Sequence, residues 1–485
     1  MTASIHTESG KDHETHSIHS DSTTPRESEE EVEEHDGPQY MSMTEKNDIE
    51  AYPVAINQPQ NEPYRPSLVR KLTRTKSGAS SWKDPGPPPD GGVKAWLQAT
   101  CGHLTVMASW GLINSFGVFQ TYYVSALGRP PSDIAWIGSF QVFLTFFIGT
   151  FTGRLTDAGY FRSVYLLGSF LTVFGLMMAS LSTQYYQLFL AQGVLVGLGN
   201  GCIFCPMLAL TSTYFSTKRS LAIGFAACGS ATGGLIFPAM VQQLLPAVGF
   251  PWTMRALGFI VLLSLAFCNV FARQRLPPRR NGAIVEWGAF KEATYVLFAI
   301  GMFLNFWGVY FAFFYIGSFA RNIIGLSYED SINLILVLNG LGYLGRLLPN
   351  HIADRWTGPL NIMIPVTFTS SLIMYCMIAV TSDTGLYVWA IFYGILGAAI
   401  QSLFPATLSS LTTDLKKAGV RMGMIFTIVS FAVLSGPPIA GVLITRLDGR
   451  YLGAQLFSAT SMLAAGCVLS AARVAKSGWV WKVKM

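Results

Sequence analysis

Apolar residues run along this chain in long stretches divided by short polar breaks. Six such stretches lie near 96–122, 133–153, 163–181, 187–211, 220–245 and 253–272. After a basic, proline-containing linker, six more follow near 293–318, 328–348, 360–381, 386–409, 421–445 and 452–472. Each holds the roughly 20 residues needed to cross a hydrocarbon core about 30 Å thick. A segment in hydrocarbon must satisfy its own backbone hydrogen bonds, so the stretches predict helices. The first 90 residues break the pattern. They are rich in Ser, Thr and Pro, carry an acidic run from Glu27 to Asp36, and show no sustained apolar period. Such a segment buries too little apolar surface to offset its ordering entropy, and a disordered tail is expected. No basic patch followed by an apolar core opens the chain, so the first apolar stretch is the expected insertion signal.

The two sets of six stretches resemble each other. Trp110-Gly111 is echoed by Trp307-Gly308, and Gly153-Arg154 with Asp157 by Gly345-Arg346 with Asp354. Phe204-Cys205-Pro206 returns as Phe404-Pro405, and Arg219 with Gly224 as Arg421 with Gly423. The spacing is about 200 residues throughout and the order is kept, as an internal duplication requires. The expected fold is an all-α membrane protein of twelve transmembrane helices in two pseudo-symmetric six-helix halves. A transporter with its site between the halves is the architecture this implies.

Composition agrees. Hydrophobic residues make up 51%, charged residues 12%, and the mean hydropathy is +0.40, against about 25% charged in a soluble domain. Seventeen of the 27 acidic residues fall within 1–90, but only nine of the 33 basic ones. The formal +6 therefore joins an acidic tail to a basic body. The expected domains are a tail (1–90), a first half (91–272), a linker (273–291), a second half (292–473) and a short C-terminal tail (474–485). Lys and Arg concentrate in the loops on the side of both termini, which the positive-inside rule makes cytoplasmic. The plasma membrane rather than the vacuolar one is the expected location. Cys202 and Cys205 form a C-x-x-C without a second pair at metal spacing. With no metal cluster, nucleophile elbow or phosphate loop in the sequence, no enzyme, metal, cofactor or nucleic-acid partner is expected.

The segment Gly153-Arg154-Leu155-Thr156-Asp157-Ala158-Gly159-Tyr160-Phe161-Arg162 stands at the end of the second stretch. Its glycine permits close helix approach, and Asp157 suits a neighbouring helix N-terminus. It resembles the loop motif with which the major facilitator superfamily latches its halves, though with Arg162 as the main basic residue after it. Pro89-Asp90-Gly91-Gly92-Val93-Lys94-Ala95-Trp96 and Tyr214-Phe215-Ser216-Thr217-Lys218-Arg219-Ser220 continuing to Gly229 resemble the two signature motifs of the monocarboxylate porter family, in its fungal branch particularly. The resemblance spans 90–475. It implies gating roles for Gly153, Asp157, Arg162, Lys218, Arg219, Gly345 and Asp354.

It also implies that Arg346 is the membrane arginine that meets an anionic substrate. A guanidinium keeps its charge and presents a fork that fits a carboxylate; the competing reading pairs it with Asp354. Two departures stand beside this. Where mammalian members carry an acid one turn earlier there is Gly342, and where they carry a first-span lysine there is Asn114. Asn114, Asn339 and Trp307 join Arg346 as substrate-binding candidates, and His103 is the candidate proton relay. The expected function is proton-coupled transport of a small organic anion, a monocarboxylate or carboxylated metabolite, with protons and the lipid bilayer as further partners. Scarce buried charge and many aromatic residues keep a second reading open: an efflux pump for a hydrophobic secondary metabolite. A third, from another class, is a sensor signalling through the tail.

Overall fold

The computed structural model describes residues 86–129, 131–279, 283–480 and 483–484, so the acidic tail lies outside the described residues. Among these, nine helical stretches are long and apolar enough to cross a membrane. Two of them, 133–179 and 219–271, run to 47 and 53 residues, far beyond the roughly 20 that one crossing takes. Each folds back at a glycine with positive φ, Gly159 at 97° and Gly249 at 74°, a backbone region that other residues enter only with strain. Each therefore supplies two crossings. The stretch 92–127, interrupted by a π-helical turn and at Ser115, completes the twelve.

In chain order the crossings are α1 (92–127), α2 (131–160), α3 (161–179), α4 (185–213), α5 (219–248) and α6 (250–271), then α7 (293–324), α8 (328–357), α9 (359–379), α10 (383–411), α11 (418–446) and α12 (452–477). Polar residues set several starts. The Ser327 hydroxyl accepts from the Asp330 amide at α8, and Ser382 from Gly385 at α10, each satisfying a donor the first turn leaves free. No strand occurs among the described residues.

The halves meet along two pairs of helices, α2 with α11 and α5 with α8. Gly149 and Gly153 of α2 lie in backbone contact with Gly423 and Gly419 of α11, and a Cβ on Gly153 would run into the Gly419 carbonyl. Gly224 of α5 lies against the backbone of Arg346, and Gly234 against Asn339, both on α8. Small residues are what permit such approach in a membrane. Gly345 serves its own half, resting on the Ile395 carbonyl of α10.

Candidate functional site: latches and an inter-half cavity

The end of the bundle where α1 begins and α12 ends is closed by two matching latches. Asp157, in the last turn of α2, accepts hydrogen bonds from the amides of Gly419 (3.0 Å) and Val420 (2.9 Å) at the start of α11. Asp354 accepts from the amides of Ser220 (3.0 Å) and Leu221 (2.7 Å) at the start of α5. A helix N-terminus has unpaired N–H groups and a partial positive charge, and a carboxylate satisfies both. Each aspartate thus ties its half to the other. Arg219 adds a third tie, donating from Nη1 to the Ser409 carbonyl of α10 at 3.3 Å. The basic residue beside the first latch is Arg154, buried and bonded to the Arg279 carbonyl. Arg162 is exposed on α3.

A second layer braces these starts. Asp90 accepts from the amides of Ser216 (2.8 Å), Thr217 (2.9 Å) and Lys218 (3.3 Å), and from the Thr217 hydroxyl. Both signature segments thereby meet in one clamp. Partial burial raises the Asp90 carboxyl, but the bonds from Thr217, Ser216 and Lys218 outweigh it and hold it well below the usual carboxylate range. In the second half Glu292, just before α7, pairs with Arg421, which also meets Glu286 at 3.1 Å, and Lys417 meets Glu286 at 2.6 Å.

Deeper in, between the halves, lies a cavity of about 40 Å³. A single water needs about 10–15 Å³ measured this way, so it has room for a few waters and none for a metabolite. Trp110 on α1, Phe146 on α2, Phe204 on α4, Phe306 and Tyr310 on α7, Phe404 on α10 and Phe426 on α11 give it aromatic walls. Ser230, Arg346 and Gln401 give it polarity. Trp110 sits in a π-helical turn, Met107–Gly111, a local widening of the helix often found at functional sites.

Arg346 is 1% exposed. Its Nη2 donates to Gln401 Oε1 at 3.3 Å, while Nη1 lies over Gly342 and makes no hydrogen bond. No carboxylate pairs with it among the described residues. Asp354, the alternative partner, is engaged two turns away. The Trp110 indole N–H and the Tyr310 hydroxyl, on the same cavity, are also buried and unpaired.

The other candidates fall elsewhere. Asn114 donates to the Ser230 carbonyl at 3.3 Å and to Asn339 Oδ1 at 3.4 Å, closing the α1–α8 seam beside the cavity. Trp307 donates to Ser435 Oγ at 3.0 Å and stacks edge-on with Phe457, within its own half and off the cavity wall. His103 places Nδ1 3.0 Å from the Phe225 carbonyl and Nε2 2.8 Å from Thr232 Oγ1, which lies 2.6 Å from the Tyr343 hydroxyl of α8. A carbonyl only accepts, so Nδ1 carries a proton; in the neutral ring Nε2 is then an acceptor, and it shares the one Thr232 hydroxyl proton with the Cys228 carbonyl 3.2 Å from that oxygen. Sequence reading passed over Trp110 as a wall residue. The signal was its place in the repeat, but the second half answers it with Tyr310, one turn beyond Trp307.

Residues 100–437 match the pattern of the Major Facilitator Superfamily. An MFS-type transporter of Gibberella zeae is 50% identical over 411 residues, covering 84% of this chain and 92% of its own. The aspyridones efflux protein of Emericella nidulans is 35% identical, with 84% of each chain covered. The agnestins efflux protein of Paecilomyces divaricatus is 37% identical over 79% of this chain and 88% of its own. Among solved structures, the human organic anion transporter MFSD10 superposes with a TM-score of 0.61 at 15% identity, covering 78% of this chain and 98% of its own. FucP in its outward conformation gives 0.59 at 12% identity, covering 78% and 99%.

Proposed function

Since this chain belongs to the major facilitator superfamily, a family of membrane transporters and not of enzymes, we propose that it exports an acidic, largely apolar secondary metabolite. The observation that carries this reading is Arg346, a buried guanidinium without a carboxylate partner among the described residues, in a cavity walled by aromatic rings. A buried charge is costly until it is paired. Aspartate and glutamate occur at helix ends and loops among the described residues, so the anion that pairs Arg346 is the cargo. The aromatic walls favour a larger, more apolar acid over a lactate-sized one. The fungal relatives named as efflux proteins favour the same choice. The monocarboxylate-type signature motifs then belong to the latch, where Asp90 clamps the turn before α5, and say little about cargo size.

In the cycle, the halves (91–272 and 292–473) rock about the cavity while the 273–291 linker joins them. The latched end is cytoplasmic by the positive-inside rule, so cargo enters when Asp157 and Asp354 release α11 and α5, and leaves once they recapture them. Protons enter through His103, whose neutral Nε2 reaches α8 by way of Thr232 and Tyr343. The plasma membrane is the location that export requires.

The test is transport in inside-out vesicles of an aromatic acid and its methyl ester by the native chain and R346Q. The native chain should move the acid and R346Q should not, a loss of roughly 30-fold or more for an unmade buried charge contact. Equal transport of acid by R346Q, at equal membrane abundance, defeats the reading.

A further inference from the structure

The cavity's two largest side chains face each other in an arrangement that ordinary packing does not require. Trp110 comes from the first half and Tyr310 from the second, and their rings are parallel within 5° with centroids 6.2 Å apart. Buried Trp and Tyr usually spend their N–H and O–H on a partner; these two do not. Phenylalanine and leucine would fill the same space without stranding two donors. The Arg346 Nη1, the third unpaired donor on the same cavity, completes a set of three.

From this we infer that the cargo carries a flat, conjugated ring clasped between Trp110 and Tyr310, with an ionised oxygen on Arg346 and further oxygen acceptors toward the indole and phenol donors. The inference rests on the export reading and names the chemical class within it. A flat ring needs van der Waals contact of about 3.5 Å on each face, hence about 7 Å between the rings. The two ring centroids now stand 6.2 Å apart, so the rings must part for a flat ring to enter between them. Because each ring belongs to a different half, a ring slipped between them holds the halves apart at this point. Occupancy is thereby felt directly by the rocking motion. A saturated ring, puckered and with hydrogens above and below, demands a wider gap and offers no π-face. Of the other aromatic walls, Phe146 and Phe204 pack on Trp110 and Phe306 packs edge-on against Tyr310.

The experiment compares 2-naphthoic acid with decahydro-2-naphthoic acid, the same carbon skeleton and acid with and without the flat ring. Transport by the full chain in reconstituted vesicles should favour the flat acid roughly tenfold, the effect expected of two aromatic faces. W110L and Y310L should each bring the ratio near one while still moving the saturated acid, which shows that they are folded; W110F and Y310F should keep the preference. Equal transport of both acids by the native chain, still lost in R346Q, overturns the clasp and leaves the export reading standing. A preference that survives both leucine variants also overturns it, since ring selection then lies elsewhere. Transport of neither acid overturns the export reading and the clasp with it.

Discussion

Asp157 and Gly419, 262 residues apart, are joined by a 3.0 Å hydrogen bond from the glycine amide to the aspartate carboxylate. Gly153, one turn earlier, presses its backbone on the same glycine. The latch is therefore a capped helix N-terminus and a close backbone contact in one place, and Asp354 with Ser220 repeats the cap in the other half. Removing one carboxylate should weaken the closed state by about 0.5–2 kcal/mol. D157N and D354N should each shift the population toward the state open on this end, and the double variant should shift it further. Cysteine accessibility at the cavity would report the change; unchanged labelling in the double variant would remove the latch role.

Replacing Gly153 is a different kind of test, because the obstacle is steric. G153V puts side-chain atoms where the Gly419 carbonyl lies, and α2 and α11 cannot close. Membrane abundance should stay near native, and transport should fall roughly 100-fold or more, as expected when one state of a two-state cycle is lost. Native flux in G153V would mean that this contact does not close during transport.

The Arg346 Nη1 lies over Gly342 on its own helix, in space that any side chain there would take, so the flexible guanidinium would have to shift to meet it. G342D should supply an internal carboxylate one turn away, pair the guanidinium and compete with the cargo. Acid transport should drop by at least roughly tenfold while the variant folds, since its buried charges are now matched. A G342D chain that moves the acid at the native rate would separate Arg346 from the cargo.

His103 bridges to α8 through Thr232 and Tyr343, and protonating it would turn Nε2 from acceptor to donor. H103Q keeps a hydrogen-bonding side chain but cannot titrate. Its transport should lose the pH dependence that the native chain shows. A native pH profile in H103Q would take His103 out of the coupling path.

Asp90 gives a pH prediction of a different kind. Its folded carboxyl titrates below the ordinary range, so its stabilising contribution is complete above about pH 4. It is lost only as the pH falls through the lower, folded value. The clamp should therefore be indifferent to pH from 5 to 8, whereas D90N should lose about 1 kcal/mol at every pH in that window. Thermal unfolding of the detergent-purified chain at pH 5 and 8 reads both; a D90N penalty confined to one end of the window would contradict the assignment.

Much of the machinery was legible from residue order alone. Apolar runs long enough to cross a bilayer marked the helices, and Gly159 and Gly249 fall at the breaks between them. The repeat aligned Asp157 with Asp354 before either had a partner. Arg346 stood out as a charge in an apolar helix. The wall was not legible. In a soluble helix the polar face tells which side points inward, but here the lipid-facing and bundle-facing sides are equally apolar. Nothing in the local pattern told Trp110, which enters the cavity, from Trp307, which turns toward Ser435.

The sequence by itself determined the number of crossings, the duplication and the few ionisable groups in the membrane, because bilayer thickness and the cost of buried charge act on each segment alone. Tertiary structure decided which of those groups meet. It joined Asp90 to the turn before α5, Asn114 to Asn339, and Trp110 to Tyr310, and among the described residues it left Arg346 without a carboxylate. Those pairings depend on how helices far apart in the chain rotate and pack. That choice is made by close glycine contacts and helix caps between the halves, and no single segment encodes it.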